Sequence, residues 1–436
     1  MKYLTSTWQP SFYYGWVIVT VVFLAEFIAA AGGSMTIPLF FEPMSHSLGW
    51  SLTILTGALF AQTLAYMFVS PFLGFFVDKY GARPVMTIGS LVAGIGLLLI
   101  MGVQEIWQFW MLYAVVGALG LHEMGQFTGP VVIAKWFIRK RGRAMAIGTF
   151  GTVMGGMVMA PVIGILINSF GWRQTWGIMG IMVLVVMVPI CLFFMRREPE
   201  DMGLLPDGDS PTIATTEESK IVPQPRQAWD YDPEWTLREA LRTPTLWILI
   251  VSLNLIGFLA GVITVHTVPY FTLVENMSAI GAGYVLTARL FSASISRILW
   301  GILVEKISVR WCLAMSFLGR SLGPISLVLI PYPYNIGALM LSSSVGGALG
   351  ILQPMVFANY YGRRFTGTIQ GTMRPLLTVS PLIGPLLVAM LYDSTGSFDL
   401  AFILATICGL LSTLVVLFAK PPRNPKVPGN GHLLSS

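Results

Sequence analysis

The fold is decided by the stretch Ala279-Ile-Gly-Ala-Gly-Tyr-Val-Leu-Thr-Ala-Arg289-Leu-Phe-Ser-Ala-Ser-Ile-Ser-Arg297-Ile-Leu-Trp-Gly301-Ile-Leu-Val-Glu305-Lys306, which can cross a membrane as one helix yet contains two arginines. A charge at membrane depth costs several kcal/mol unless it faces a polar cavity or a partner. Arg289 lies about 15 Å from the start of the span, whereas Arg297 is close enough to the other end to extend towards a headgroup. The stretch therefore predicts a membrane helix with a functional arginine.

The rest of the chain has the composition of a membrane protein. Of its 436 residues 55% are hydrophobic and 11% charged, which differs from soluble domains. Twelve apolar runs are each long enough to span about 30 Å of hydrocarbon. They cover residues 14–40, 51–77, 85–103, 106–137, 144–170 and 175–195, and then 246–274, 279–303, 310–330, 336–361, 366–391 and 398–419. We expect an all-α membrane protein with twelve transmembrane helices in two pseudo-symmetric bundles of six.

The N-terminus and the cysteines add little chemistry. Residues 1–9 are polar and the first apolar run lacks a cleavage site, so we expect it to stay as a membrane anchor. Cys191, Cys312 and Cys408 lie in or beside apolar runs at spacings that match neither a disulfide framework nor a metal site. We expect three inert thiols and no bound metal or cofactor.

The positive charges predict the orientation. If the N-terminus is cytoplasmic, 21 of the 26 lysines and arginines fall in cytoplasmic segments and Arg173 falls outside. The other four, Arg289, Arg297, Arg320 and Arg374, lie within spans. This asymmetry follows the positive-inside rule. We expect a multi-pass protein of a bacterial inner (plasma) membrane, with both termini cytoplasmic and no role in nucleic-acid binding.

One polar stretch divides the chain. Residues 196–243 contain scattered prolines among acidic and hydroxyl residues and predict a partly disordered cytoplasmic linker. Its end, residues 236–244, is typical of a short amphipathic helix at the membrane surface. The predicted organisation is a six-helix bundle over 1–195, the linker over 196–243, a second bundle over 244–420 and a cytoplasmic tail over 421–436.

The two halves resemble each other. Gly74-x3-Asp78-Lys79 ends the second span and Gly301-x3-Glu305-Lys306 ends the eighth. An ungapped offset of 220 residues also superposes Gly142-Arg143 on Gly362-Arg363 and Pro161-x2-Gly164 on Pro381-x2-Gly384. Parallel repeats of this kind hold a substrate site at their interface, near the middle of the membrane.

The segment Gly74-Phe-Phe-Val-Asp78-Lys-Tyr-Gly81-Ala-Arg83-Pro resembles the signature of the major facilitator superfamily between its second and third helices. The end of the eighth span resembles the degenerate second copy, with glutamate in place of aspartate. The resemblance covers nearly the whole chain and implies the major facilitator fold. It also implies a gating role for Asp78, Arg83 and Glu305, whose ion pairs at the membrane rim must break when the halves rock.

Three shorter motifs resemble the branch that contains monocarboxylate transporters and oxalate:formate antiporters. They are Tyr13-Tyr14-Gly15-Trp16-Val17, the segment Lys135 to Gly148, and Arg297-x3-Gly301. The resemblance implies that Arg297 binds the substrate carboxylate. The animal members of the branch have an aspartate where this chain has Ala293, so proton coupling through that position is not expected here.

The residues themselves also favour an anionic substrate. Four arginines lie within spans against two acids, Glu26 and Glu123, and a buried charge is tolerated only when it is paired. The planar guanidinium can bind a carboxylate through two hydrogen bonds. We expect Arg297 and Arg374 to contact substrate, with Arg289 and then Arg320 as further candidates. Other candidate substrate contacts are Tyr14, His266, Tyr270, Gln62 and Asn254.

Proton coupling has three candidate residues, Glu26, His122 and Glu123, because a buried carboxyl or an imidazole can carry a proton near neutral pH. The alternative, that the two acids only neutralise arginines, remains open. The predicted function is secondary transport of small organic anions, monocarboxylates such as lactate or pyruvate, by a protein that works as a monomer in the lipid bilayer. Proton symport is the favoured coupling, anion exchange of the oxalate:formate kind is the near alternative, and a non-transporting sensor is the alternative of another class. We expect no enzyme activity.

Overall fold

The computed structural model describes residues 12–33, 36–208 and 234–422, and this part of the chain is helical without β-strands. The helices of the first half are α1 (Gly15–Gly32), α2 (Pro38–Leu48), α3 (Leu52–Tyr80), α4 (Ala82–Ile100), α5 (Ile106–Val115), α6 (Thr128–Trp136), α7 (Arg141–Met182) and α8 (Val188–Phe194). Two π-helical segments, Val116–Gln126 and Val183–Met187, continue α5 into α6 and α7 into α8.

The second half begins with a short helix that Thr236 and Glu239 cap reciprocally. Its helices are α9 (Leu237–Leu241), α10 (Pro244–Leu273), α11 (Ala279–Leu303), α12 (Val309–Leu329), α13 (Tyr334–Gly346), α14 (Leu349–Tyr361), α15 (Thr366–Thr395) and α16 (Asp399–Leu417). α9 is the short helix that the sequence predicts before the seventh span.

The described part of the chain crosses the membrane twelve times. Ten helical stretches are long and apolar enough to span a membrane. One of them, Arg141–Phe194, makes two crossings because Gly171 adopts a φ of 83° and turns the chain back. The π-helical segment joins α5 and α6 into one further crossing, Ile106–Trp136. The predicted all-α fold with two bundles of six helices is confirmed.

Glycines set the distance between the halves. A Cβ atom on Gly74 of α3 would overlap the backbone carbonyl of Gly367 at the start of α15. A Cβ on Gly142 of α7 would in the same way overlap the carbonyl of Gly301 on α11. Small residues allow such close backbone approach between membrane helices. The two repeat-related contacts therefore join the halves, one on each side of the pseudo-symmetry axis.

The outer surface of the bundles is apolar. Phe68, Phe72, Ile165 and Leu299 are each 62–71% exposed, more than an aqueous surface of this extent tolerates. Such side chains are stable against lipid tails, which are as apolar as they are. The chain is an integral multi-pass membrane protein.

The predicted linker contains two 3₁₀ turns, Pro199–Met202 and Pro206–Gly208, and the second packs against α1 and α6 of the first half. The buried carboxylate of Asp207 accepts hydrogen bonds from the backbone N–H groups of Ile138, Arg139 and Lys140, at 3.0, 2.8 and 2.9 Å. These residues form the loop between α6 and α7, so this part of the linker is fixed to the first half. The rest, residues 209–233, lies outside the described residues, as do most of the predicted tail and residues 1–11.

Candidate functional site

Polar contacts between the halves concentrate on one side of the molecule, which we call the linker side because Gly208, Glu234 and the end of α16 lie there. On this side the carboxylate of Asp78, at the end of α3, accepts hydrogen bonds from Thr368 N at 2.6 Å, Thr368 Oγ1 at 2.8 Å and Gly367 N at 3.2 Å. Asp78 also pairs with Lys135 Nζ at 3.0 Å, and both side chains are buried. An acid at the first turn of α15 also interacts favourably with the helix dipole.

Glu305 repeats this arrangement from the second half. Its carboxylate accepts from Arg143 Nε at 2.8 and 3.0 Å and from the backbone N–H of Arg143 at 3.1 Å, in the first turn of α7. The Arg143 side chain is 52% exposed, so this pair is more accessible to water than the one at Asp78. Arg83, the third predicted gating residue, is exposed on the linker side. The gating roles of Asp78, Arg83 and Glu305 stay predictions.

A cavity of about 220 Å³ lies in the first half, towards the far side of the molecule from the linker. It is lined by α1, α3 and the π-helical segment, and its polar side chains are those of the predicted residues Gln62 and His122 and of Thr63 and Gln126. Glycines of the π-helical segment let neighbouring helices approach closely, since a Cβ on Gly120 would overlap Ala93 of α4. π-helical bulges of this kind are frequent at functional sites.

Arg297 lies where α11 of the second half meets α7 and α1 of the first. Its Nη1 donates to the backbone carbonyl of Thr149 at 3.5 Å, and its Nε is buried without a hydrogen-bond partner among the described residues. Glu26 of α1 lies within electrostatic range of this arginine. The Glu26 carboxylate accepts a hydrogen bond from Thr152 Oγ1, and the residue is 2% exposed.

Arg374 of α15 is the second arginine of the second half that contacts residues of the first half. Its guanidinium lies 5.5 Å from the ring centre of Tyr66 on α3, and the Tyr66 ring stacks on His122 at 4.1 Å. Glu123 lies within electrostatic range of Arg374. In the described part of the molecule Glu123 Oε1 and His122 Nδ1 are buried without hydrogen-bond partners. Buried polar atoms without partners are rare in proteins and mark places where water or a ligand binds.

The structure thus brings five predicted residues together from both halves. Arg297 and Arg374 extend from the second half, and Glu26, His122 and Glu123 extend from the first. Arg297 lies about 9 Å and Arg374 about 12 Å from the linker-side ends of their helices, so both lie within their spans rather than at the ends. Each arginine faces one acid across the interface between the bundles, which is where parallel repeats place a substrate site.

Arg289 and Arg320 are elsewhere. Together with Ala293 they line a small cavity among helices of the second half. Arg289 therefore does not extend towards the first half as Arg297 does, in agreement with the two lying at different angles around α11. Ala293 packs with its backbone against Gly347 of α13.

Several other predicted substrate contacts form hydrogen bonds with backbone carbonyl groups. Tyr14 Oη donates to Phe194 O at 2.8 Å on the linker side. Tyr270 Oη donates to Leu327 O at 2.7 Å, His266 Nε2 lies 3.1 Å from Pro385 O, and Asn254 Nδ2 donates to Ile250 O at 2.9 Å. The Asn254 bond lies within α10 and the other three join helices of one half, and of the predicted substrate contacts in this group only Gln62 lines the larger cavity. Their substrate-binding roles stay predictions.

Sequence reasoning missed four residues of this arrangement, namely Lys135, Thr368, Tyr66 and Thr152. Each lies on a different span from the residue that it contacts, so spacing along the chain carries no signal for the pair. Lys135 was visible only as part of a basic loop. Tyr66 and Thr152 resemble ordinary packing residues until the neighbouring helix is known.

The chain matches a known family over most of its length. The family model of the Major Facilitator Superfamily matches residues 22–371 and, in a second overlapping match, residues 255–434. The chain belongs to the Major Facilitator Superfamily. The relationship to the superfamily that the sequence motifs predict is confirmed.

Individual relatives are distant. The chain is 24% identical over 445 residues to monocarboxylate transporter 12 of Rattus norvegicus, which covers 97% of this chain and 88% of the relative. It is 23% identical over 286 residues to the MFS-type transporter YcxA of Bacillus subtilis (strain 168), covering 64% of this chain and 65% of that relative, which is less than two thirds of its length. The crystal structure of the human organic anion transporter MFSD10 superposes with a TM-score of 0.66 at 15% identity, over 94% of this chain and 100% of that one. This last likeness shows the fold.

Proposed function

We propose that this superfamily member is a secondary transporter for small organic anions, with monocarboxylates such as lactate or pyruvate as its substrates. The observation that carries the proposal is the pair of arginines within the spans, Arg297 and Arg374, which extend from the second half towards the first. A guanidinium binds a carboxylate through two parallel hydrogen bonds. The resemblance to monocarboxylate transporter 12 supports the same substrate class.

In the proposed mechanism, the two buried acids couple the movement of protons to the transport of the anion. Glu26 and Glu123 partly compensate Arg297 and Arg374 while no substrate is bound. An incoming carboxylate competes with these acids for the guanidinium groups. If Glu26 takes up a proton as the substrate binds, the site keeps its charge balance and the loaded transporter carries a proton with the anion. Proton symport is therefore the coupling that we propose.

The described conformation corresponds to one stage of alternating access. The linker side is closed by the contacts of Asp78 and Glu305, while the larger cavity lies towards the far side. The distribution of lysine and arginine supports a cytoplasmic position for the linker side. We infer that this conformation receives substrate from outside and that rocking of the halves breaks the linker-side contacts to release it.

Anion exchange of the oxalate:formate kind is the second candidate, and Arg374 favours it. A dicarboxylate could place one carboxylate at Arg297 and the other at Arg374. Exchange would then need no proton, because a second anion restores the charge balance on the return step.

Uptake by purified protein in liposomes tests both candidates. We expect Arg297→Gln to lower the apparent affinity for lactate or pyruvate by about 10- to 150-fold, the loss of one charge-assisted contact of about 1.5–3 kcal/mol. Lys306→Gln removes an exposed charge just beyond α11 and is the matched control. Undiminished uptake of lactate, pyruvate and oxalate by Arg297→Gln would contradict the proposed site.

A second measurement separates the coupling modes. An inward proton gradient should accelerate uptake if symport is correct. Acceleration by preloaded counter-anion, with no effect of the proton gradient, would instead establish exchange. Binding without any flux would identify a sensor rather than a transporter.

A further inference from the structure

The small cavity of the second half holds two arginines that the transport mechanism does not use. It has a volume of about 20 Å³ and lies among α10, α11, α12 and α13, with Arg289 and Arg320 in its wall. We propose that a small monatomic anion such as chloride binds between these two arginines, as a fixed part of the second half.

Arg289 supplies the first argument. The residue is 4% exposed and lies about 15 Å along α11, near mid-membrane. Its Nε and Nη2 atoms are buried and have no hydrogen-bond partner in the part of the chain that the structure describes. A buried charged donor without a partner is strongly unfavourable, and an anion in the cavity would remove that cost.

Arg320 supplies the second argument. It approaches the same cavity from α12, where its Nη1 donates to the carbonyl of Gly346 at 3.2 Å. The two guanidinium groups lie within electrostatic range of each other, and Arg320 also lies within range of Arg297, so these positive charges repel. Residues 279–361, which form α11 to α14, contain one acid, Glu305, and this residue pairs with Arg143 at the linker side. No protein carboxylate on these helices is therefore left to neutralise the two arginines.

The size of the cavity selects the anion. A volume of about 20 Å³ admits one particle the size of a water molecule and excludes a carboxylate with its carbon atoms. Ser343 in the wall can add a hydroxyl donor to those of the arginines, whereas the Ser342 hydroxyl already donates to the backbone carbonyl of Arg320 at 3.4 Å. Ala293, one turn after Arg289 on α11, adds no acid to the wall. A monatomic halide matches this size and these donors.

The position of the cavity separates its role from transport. All of its lining residues belong to the second half, whereas Arg297 and Arg374 face the first half. The anion would remain in the second half as the two halves rock, and would hold α11, α12 and α13 together around it. Chloride should therefore stabilise the folded protein without being carried.

Thermal unfolding of the purified full-length protein in detergent tests this inference, with sodium chloride exchanged for sodium gluconate at constant ionic strength and without organic substrate. We expect a saturable rise in Tm of about 2–4 °C with chloride, through binding to the folded state. Bromide should act similarly, whereas sulfate, which is larger than the cavity, should not. No halide-specific rise in the wild-type protein would overturn the proposal.

Variants identify the site. Arg289→Gln and Arg320→Gln should each abolish the chloride-dependent rise, and Arg297→Gln should retain it while losing uptake. A chloride effect that survives in both Arg289→Gln and Arg320→Gln would place the anion elsewhere and refute the assignment. If these variants do not fold, equilibrium dialysis of the wild-type protein with radioactive chloride decides: about one chloride per chain supports the site, and none refutes it. Uptake tests the transport site at Arg297, whereas the chloride-dependent rise in Tm tests the anion site at Arg289 and Arg320. Failure of one proposal can therefore be told apart from failure of the other.

Discussion

Replacing Asp78 by asparagine should open the linker side of the molecule. The carboxylate has two sets of partners that lie in different halves. Lys135 belongs to the first half, as Asp78 does, whereas Gly367 and Thr368 begin α15 of the second half. The hydrogen bonds to α15 are made only while the linker side is closed, so they alone contribute to the difference between the closed and open states.

The size of the effect follows from these contacts. In the Asp78→Asn variant the side-chain amide would keep an oxygen acceptor but lose the charge that strengthens the bonds from Thr368 N at 2.6 Å and Thr368 Oγ1 at 2.8 Å. Bonds to a charged acceptor are about twice as strong as neutral ones, and the helix dipole adds up to about 1 kcal/mol. We expect a loss of about 2–3 kcal/mol from the closed state, which shifts the equilibrium by about 30- to 150-fold.

Spin labels at Tyr80→Cys and Lys306→Cys, which are exposed on opposite halves at the linker side, measure the opening in a variant whose native cysteines are replaced by serine. The Asp78→Asn variant should gain a population at longer distance. Unpaired Lys135 should also lower stability by about 3–5 kcal/mol. Adding Lys135→Met should recover much of this stability but leave the distances long, because it restores no contact to α15.

Glu305→Gln is the matched comparison. Its partner Arg143 is half exposed, so the pair contributes about 0–1 kcal/mol and the distances should change little. Distances in Asp78→Asn that equal those of the wild type, together with reduced stability, would refute the reasoning. Asp78 would then act only within the first half.

Three further outcomes are expected. Gly142→Leu should prevent closure in the same spin-label assay, since its side chain would meet the carbonyl of Gly301, while Gly164→Leu on the same helix, with open space around it, should not. Asp207→Asn should lower the free energy of unfolding by about 2 kcal/mol in denaturant titrations, because three backbone donors share its carboxylate. Burial, and then the charges of Asp207 and Glu200, raise the pKa of Tyr13 above its usual value; stability should therefore fall as the pH rises above about 10, less so in Tyr13→Phe.

Much of the architecture could be predicted from the sequence. Apolar length gives the twelve crossings, and the repeated glycines of α3 and α11 mark the places where the halves touch. The π-helical segment could not be predicted, since its residues have the composition of an ordinary span. It is stabilised by the fit of Gly120 against α4, which is a tertiary contact.

The candidate site was only partly predictable for a related reason. Charge within a span identifies Arg289, Arg297, Arg320 and Arg374 as unusual but does not say which way each one faces. The direction depends on helix packing, which turns Arg297 towards α7 and Arg289 towards α12. Aromatic and polar residues such as Tyr270 looked equally suited to substrate, and the structure shows them bonded within their own half.

The hydrogen bonds of the Asp207 carboxylate fix the start of the linker to the first half, so the free connection between the halves begins after Gly208. Because residues 199–208 are fastened to the first half, a chain break anywhere within 209–233 would leave Glu200 on the first fragment. There it would still meet Arg363 of the second fragment, as it does now through a 2.6 Å ion pair. We therefore expect the two bundles to keep this contact when they are expressed as separate polypeptides.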